Sequence, residues 1–148
     1  MAADEFGSLN LLVNNIGVAG PTKPCEELTI DKFLGTVGTN LGSLFATTKA
    51  AIPLLGEGAD GRVVNLSSMS GKRPPEGRTP CTTSKMSVIG FTRTLVSELA
   101  DDGVTANAVC PESVAGERLD AVIESQTANQ ERSFEDVQAE FRDVSPMN

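Results

Sequence analysis

The stretch Gly61–Gly90, GRVVNLSSMSGKRPPEGRTPCTTSKMSVIG, carries the strongest structural signal in this chain of 148 residues. Its segment Arg62–Leu66 is typical of a buried strand and ends at the polar pair Ser67-Ser68. A loop rich in Pro and Gly follows, and then a helix that contains Lys85. In open α/β sheets, ligands bind in the crevice beyond the carboxyl ends of the strands. We therefore predict that Ser68 and Lys85 face one such crevice.

Two further strands are predicted, one before and one after this stretch. The first lies in Ser8–Gly17, whose apolar run Leu11-Leu12-Val13 is typical of a strand buried on both faces of a parallel sheet. The second is Val104–Val109, which follows Gly103 as the C-cap of the preceding helix. Because helices and strands alternate without hairpin signals, we predict right-handed crossovers and a parallel sheet.

A long helix is predicted from the N-cap Thr29 to about Leu55. Its apolar side chains recur at spacings of three and four and form one stripe, which consists of Leu34, Val37, Leu41, Leu44, Thr48, Ile52 and Leu55. A second line contains only small residues, Gly35, Gly38 and Gly42. Each Gly costs about 1 kcal/mol of helix stability relative to Ala. We therefore expect another part of the structure to pack closely against this glycine line.

A second long helix is predicted from about Cys81 to Ala100. Its apolar sector is wide and indicates burial on two sides, with the residues Val88, Phe91, Leu95 and Leu99 flanked by Ile89 and Val96. Two shorter helices are predicted near the end of the chain, roughly Gly116–Thr127 and Phe134–Arg142. Ser133 and Asp136 resemble a capping box at the start of the last helix.

Composition limits the classes of partner and site. With 20 acidic and 12 basic residues, the net charge of -8 argues against nucleic acid and anionic membranes as partners. His is absent and the three Cys are far apart, so no metal site is predicted. The odd Cys count favours a reducing, cytoplasmic location. The length predicts a single domain over residues 1–148.

The loop before the second long helix is basic and contains Lys72, Arg73 and Arg78. In an acidic protein, such a loop could contact an anionic substrate. Charged loop residues are more often solvated, so we predict a solvated loop.

The spacing of several polar residues resembles that of the short-chain dehydrogenase/reductase family. Ser68 is followed thirteen residues later by Cys81 and then by Lys85, as the family's Ser precedes its Tyr-x-x-x-Lys. Cys81 stands where the family has Tyr, and the chain contains no Tyr. Asn14-Asn15-Ile16-Gly17 is similar to the family's Asn-Asn-Ala-Gly motif, and Asn40 resembles its helix Asn.

This resemblance implies an NAD(P)-dependent oxidoreductase that interconverts an alcohol and a ketone or aldehyde by hydride transfer. Its catalytic residues would be Asn40, Ser68, Cys81 and Lys85. In the family, the Tyr is the general acid/base beside the Lys, the Ser hydrogen-bonds the substrate oxygen, and the Asn holds a water near the Lys. Since Cys is far shorter than Tyr, we expect its thiol to stop short of the substrate oxygen and the activity of this chain to be low or absent.

The resemblance also implies NAD or NADP as cofactor, bound by Asn14, Asn15, Ile16, Gly17, Lys85, Pro111 and Val114. Pro111 and Val114 match a Pro-Gly motif in which Glu112 replaces the Gly. The implied fold class is α/β, a partial Rossmann-like, doubly wound parallel sheet with flanking helices, without the glycine-rich phosphate loop of the N-terminal half. Residues from about 115 to 143 would form a lid over the substrate.

Three interpretations of function are open. The first is an oxidoreductase, altered or partial, that acts on a small alcohol or carbonyl compound. The second is a catalytically inactive relative that serves as a binding or scaffold protein, and the third is a truncated fragment. The two long helices commonly form dimer interfaces in the family, which implies a homo-oligomer, and an open strand edge would also favour assembly.

Overall fold

The computed structural model describes residues 5, 7–55, 60–112, 114–130 and 132–143. In this part of the chain, the strands β1 (Leu11–Asn14), β2 (Arg62–Leu66) and β3 (Thr105–Val109) form a parallel sheet in the order β1-β2-β3. The predicted α/β class with a parallel sheet is confirmed. The prediction of one domain over residues 1–148 extends to residues outside the described part and stays a prediction.

The first long helix is divided by a π-helical turn, Gly38–Gly42, into α1 (Ile30–Val37) and α2 (Ser43–Leu55). Thr29 caps it as predicted, because its Oγ1 accepts a hydrogen bond from the backbone N–H of Lys32 at 3.4 Å. The second long helix is α3 (Thr79–Leu99), and the last two are α4 (Glu117–Gln130) and α5 (Phe134–Asp143).

The hydrophobic core lies between one face of the sheet and the two long helices. Ala51 and Leu55 of α2 and Leu95 and Leu99 of α3 pack with residues of the strands and their flanks, namely Val63, Val104 and Ala106. Side chains alternate between the faces of a strand, so the core takes every second strand residue. Both long helices therefore cover the same face.

The other face of the sheet is open in the described chain. Leu11 is 51 % exposed and Val13 is 53 % exposed, while Leu12 between them packs on the core. The prediction that β1 is buried on both faces is therefore wrong for this structure. A continuous apolar run does not report which of its two faces has a covering layer.

The apolar stripe and the closely packed glycine line predicted along the first long helix are also wrong in part. Leu34 is 55 % exposed, and a Cβ placed on Gly35, Gly38 or Gly42 would meet nothing within 4 Å. The residues that are buried lie four apart at first and are partly polar: Thr36, Asn40, Leu44, Thr48, Ala51 and Leu55. The helix thus turns a mixed polar and apolar face inward, which an apolar pattern does not reveal.

Thr48 of this face belongs to a buried hydrogen-bond network between the sheet and the long helices. Asn14 Nδ2 donates to Thr48 Oγ1 at 3.0 Å and to Asn65 Oδ1 at 2.8 Å, and Asn14 Oδ1 accepts from Thr47 Oγ1 at 2.6 Å. Asn65 Nδ2 in turn donates to Thr92 Oγ1 at 3.0 Å. The network joins β1, β2, α2 and α3. Such a network specifies one arrangement of these elements, because any unpaired member would be costly in a low dielectric.

Local contacts hold the last two helices. The N–H of Asp136 donates to Ser133 Oγ at 3.1 Å, and Ser133 Oγ donates to Asp136 Oδ2 at 2.7 Å, so the predicted cap is present. Arg132 donates to Glu140 at 2.6 Å. This hydrogen bond holds the pKa of the Glu140 carboxyl below its usual value.

Among the residues described, no helix is both long and apolar enough to cross a membrane.

The network generates a stability prediction. Replacing Asn65 with Ala removes a partner from both Asn14 and Thr92, so we expect a loss of roughly 1–3 kcal/mol in the free energy of unfolding. The measurement is urea denaturation followed by circular dichroism. The control is Asn107→Ala, because Asn107 lies on the neighbouring strand β3 and is exposed. Equal denaturation midpoints for the two variants would contradict a structural role for the network.

Candidate active site

The carboxyl end of β2 is fixed to α3 by two hydrogen bonds of opposite direction. Ser67 Oγ donates to the backbone oxygen of Lys85 at 2.7 Å, and Lys85 Nζ donates to the backbone oxygen of Leu66 at 2.8 Å. Lys85 is buried. We name this pair of contacts the Ser67–Lys85 clasp. It fixes where α3 crosses the end of the strand and holds the ammonium at that end.

Ser68 follows the clasp and begins a short turn, Met69–Gly71. Its Oγ accepts from the N–H of Ser70 at 3.1 Å and caps the turn. A Cβ on Gly71 would lie 3.0 Å from the backbone of Lys85 and Met86, closer than side chains normally tolerate. Gly71 therefore allows the turn to pack directly on α3, which brings Ser68 near Lys85.

Cys81 lies one helical turn before Lys85 on the same side of α3. Its side chain is buried, and its sulfur lies 4.0 Å from Ser70 Oγ. Its backbone oxygen accepts from Ser84 Oγ at 2.8 Å. Both the thiol and its backbone are therefore held next to the turn that carries Ser68.

Asn40 is 2 % exposed and lies in the π-helical turn, a feature that is frequent at functional sites. Its Oδ1 accepts from the N–H of Val18 at 2.7 Å, and its Nδ2 donates to the oxygen of Val18 at 3.1 Å and to Ser84 Oγ at 2.8 Å. A Cβ on Gly17 would lie 3.0 Å from Asn40 Oδ1 and 3.7 Å from Lys85 Nζ. Asn40 thus joins the segment after β1 to the helix that carries Cys81 and Lys85.

A cavity of about 580 Å³ collects most of the residues singled out from the sequence. The lining includes Asn15, Ser68, Cys81, Lys85, Pro111 and Val114. The opposite wall comes from the segment predicted to form a lid and includes Leu119, Val122, Gln126 and Phe141. The prediction that Ser68 and Lys85 face one crevice is confirmed, while the individual roles of these residues stay predictions.

Four of the predicted site residues lie outside the lining of this cavity. Asn14 belongs to the buried network, where each of its side-chain polar atoms has a partner, so the structure gives it a supporting role. Ile16 is 57 % exposed. Gly17 lines a smaller neighbouring cavity, and Asn40 is buried beside it.

The prediction of a solvated basic loop is wrong for Arg78, which is buried. Lys72 and Arg73 are exposed, but Arg78 is only 6 % exposed and its Nη1 donates to Thr22 Oγ1 at 2.7 Å. The loop folds back on the segment after β1, where the N–H of Lys23 donates to the oxygen of Gly77 at 2.9 Å. No local pattern indicates this burial, because the partner Thr22 lies 56 residues earlier in the chain.

The charged side chains that line the larger cavity are mostly cationic. The cations of the described lining are Arg73, Arg78 and Lys85, and its acidic residue is Glu112, which is exposed. Ser84 and Gln126 are further buried polar residues of the site that sequence reasoning missed. Within the described residues, no group of three or more His, Cys, Asp or Glu side chains could hold a metal ion.

Comparison with known proteins identifies the family of this chain. The family model for short chain dehydrogenases matches residues 1–128. A 2-dehydro-3-deoxy-L-rhamnonate dehydrogenase (NAD(+)) from a Sphingomonas species is 36% identical over 125 residues, which are 84% of this chain and 50% of that protein.

Two solved structures are also similar. NAD+-bound xylitol dehydrogenase has a TM-score of 0.91 at 25% identity and covers 99% of this chain and 58% of its own. A variant of actinorhodin polyketide ketoreductase with NADPH has a TM-score of 0.82 at 36% identity, over 90% of this chain and 52% of its own. The chain spans about half the length of the curated relatives it matches. It belongs to the short-chain dehydrogenase family.

Proposed function

We propose that this chain is the substrate-binding and catalytic part of an NAD(P)-dependent oxidoreductase that interconverts an alcohol and a carbonyl compound. The observation that carries the proposal is the cavity shared by Ser68, Cys81 and Lys85. Asn40 is buried outside its lining and is linked to the same helix through Ser84. The relatives described above include an NAD(+)-dependent dehydrogenase and a ketoreductase with NADPH.

The residues of the cavity fit the nicotinamide end of such a cofactor. Asn15 and Lys85 offer hydrogen-bond donors for hydroxyl and carboxamide groups, and Pro111 and Val114 offer apolar contact. Gly17 packs closely on Asn40, since a Cβ there would lie 3.0 Å from Asn40 Oδ1. When bound, the cofactor would donate or accept the hydride.

Ser68 and Asn40 have separable roles in this proposal. Ser68 Oγ accepts a hydrogen bond from its own turn, so its proton is directed to another acceptor, and we assign that acceptor to the substrate oxygen. The side chain of Asn40 is occupied by Val18 and Ser84. Asn40 is therefore a positioning residue, which acts through Ser84 on the helix that carries Cys81 and Lys85.

Cys81 is poorly suited to the general acid role that the proposed reaction requires at its position. A general acid must come within hydrogen-bond reach of the oxygen that it protonates, and such proton transfer contributes about 10²–10⁴-fold to a rate. The thiol lies against Ser70 and is buried. We propose that the Cys81 thiol is a poor general acid here, so that proton transfer is slow although the binding cavity is kept.

The first test replaces Cys81 with Tyr and, as a matched control, with Phe. Phe supplies the ring without the hydroxyl, so only Cys81→Tyr should gain proton transfer. We expect ketone reduction, followed by loss of NADH or NADPH absorbance, to rise by about 10²–10⁴-fold in the Tyr variant alone. Binding of each cofactor is measured in parallel by calorimetric titration.

Equal rates for the native protein, Cys81→Tyr and Cys81→Phe would contradict the assignment of position 81 to proton transfer. Cofactor binding without reduction in the Tyr variant would contradict the proposed reaction. No detectable cofactor binding to any of the three proteins would contradict the fit of this cavity to the nicotinamide end.

The second test concerns Glu112, whose carboxylate lines the cavity where the family's Gly would be. A dinucleotide is anionic, so removal of this charge should raise its affinity several-fold. We expect tighter NADH binding to Glu112→Gln in calorimetric titrations, with a smaller difference at high salt. Glu117→Gln is the control, because Glu117 is exposed on α4 outside the cavity lining. An equal gain in NADH affinity in both variants would indicate an effect of net charge alone and would contradict a specific role for Glu112.

A catalytically inactive binding protein is the second candidate function, and Cys81 is the observation that favours it. Such a protein would keep the cavity and its ligands without turnover. Failure of Cys81→Tyr to reduce any ketone, despite cofactor binding, would favour this candidate.

We also propose that the long helices mediate a homo-oligomer. Phe45 of α2 and Met86 and Val96 of α3 are large apolar side chains about half exposed to solvent. Phe45→Glu should shift the sedimentation equilibrium of the protein toward the monomer. Ile30→Glu is the control, because Ile30 is also exposed but lies at the first position of α1, where an acid is compatible with the helix dipole. A monomeric native protein would contradict the proposal.

A further inference from the structure

Arg78 lies at the boundary of two cavities. It lines the larger cavity together with Ser68 and Cys81, and it also lines a neighbouring cavity of about 360 Å³. The smaller cavity is formed by Gly17–Gly20, Thr22 and residues of α4, including Ala121 and Val122. Arg78 thus borders both the proposed reaction centre and a second space that is open to solvent.

The charge of Arg78 has no acidic counterpart in the described residues. No carboxylate of that part of the chain lies within 4.0 Å of its guanidinium, and the ion pairs found there involve Lys23, Arg62 and Arg132. Glu112 is the one acidic residue in the described lining of either cavity, and it is exposed. A buried cation is costly without a charged or hydrogen-bonding partner.

The hydrogen-bonding capacity of Arg78 is only partly used by the contacts described. A guanidinium has five N–H donors in a planar fork, and one of the Nη1 donors is directed to Thr22 Oγ1 at 2.7 Å. Such a fork matches the planar, bidentate geometry of a carboxylate. The smaller cavity offers small apolar neighbours and no second charged side chain in its described lining.

We propose that Arg78 is a specificity-determining residue that binds the carboxylate of the substrate. The inference rests on the proposed function and makes it specific: the substrate is a short oxo or hydroxy acid. Its reacting oxygen lies toward Ser68, and its carboxylate lies toward Arg78. Two features keep this acid short. Arg78 precedes Cys81 by less than one helical turn, and both residues line the same cavity.

Binding of small probes to the purified chain tests the proposal without cofactor or turnover. Acetoacetate is the probe, and acetoacetamide is its neutral counterpart of nearly the same shape. Both are titrated into ¹⁵N-labelled protein and followed by amide chemical shifts. We expect acetoacetate to bind more tightly than acetoacetamide and to shift the amides near Thr22 and Arg78.

Variants identify the residue responsible. Arg78→Gln should weaken acetoacetate binding by about tenfold or more, the loss expected for a charge-assisted hydrogen bond, and leave acetoacetamide binding unchanged. Arg78→Lys should retain part of the affinity, because the charge remains without the planar fork. Arg93→Gln is the control, since Arg93 is exposed on the same helix outside both cavities. Native-like amide spectra establish that each variant is folded.

Three results would overturn the inference. They are equal acetoacetate affinity in the native protein and Arg78→Gln, an equal loss in Arg93→Gln, and displacement of acetoacetate by inorganic phosphate at equal or lower concentration. The last result would assign the site to phosphate groups instead. Because the readout needs neither cofactor nor reduction, its failure is distinguishable from failure of the Cys81→Tyr test.

Discussion

The Ser67–Lys85 clasp is the constraint on which the rest of the site depends. Its two hydrogen bonds run in opposite directions between the end of β2 and the first turns of α3. They lock the helix in both rotation and height relative to the strand. Once that crossing is fixed, helical spacing places Cys81 one turn before Lys85 and Arg78 just before that turn. One pair of contacts therefore fixes the part of α3 that carries Cys81 and Lys85, while Thr22 holds the Arg78 side chain.

A second set of contacts secures the segment after β1 and the two strands beside it. Asn40 binds both backbone groups of Val18 and reaches Ser84, while Asn14 and Asn65 join the two strands to the helices below them. These groups are buried, so each would be costly to leave unpaired. Polar residues on the inner face of the first long helix thus replace part of the expected apolar packing. They give a defined geometry where an apolar contact would allow sliding.

Features that depend on local sequence pattern could be predicted, and features that depend on contacts between distant segments could not. The strands, the Thr29 cap and the shared cavity of Ser68 and Lys85 could be predicted, because each depends on local pattern or on the edge of a parallel sheet. The inner face of the first long helix could not, since Asn40 and Thr48 bond partners from distant segments. Thr36, whose hydroxyl bonds its own helix, packs against the distant Gly20. The burial of Arg78, which we had assigned to a solvated loop, was not predicted for the same reason. Its burial results from a contact with Thr22, 56 residues earlier in the chain.

The position of Cys81 explains how such a site can keep its shape without the family's Tyr. The backbone oxygen of Cys81, not its sulfur, accepts the hydrogen bond from Ser84, and Ser84 is in turn held by Asn40. The clasp involves Lys85 and the end of β2 and does not use the side chain at position 81. These hydrogen bonds therefore place position 81 against the cavity without using the side chain that stands there. In the function that we propose, binding geometry and proton transfer are therefore separable, so a change at position 81 can affect the second and leave the first.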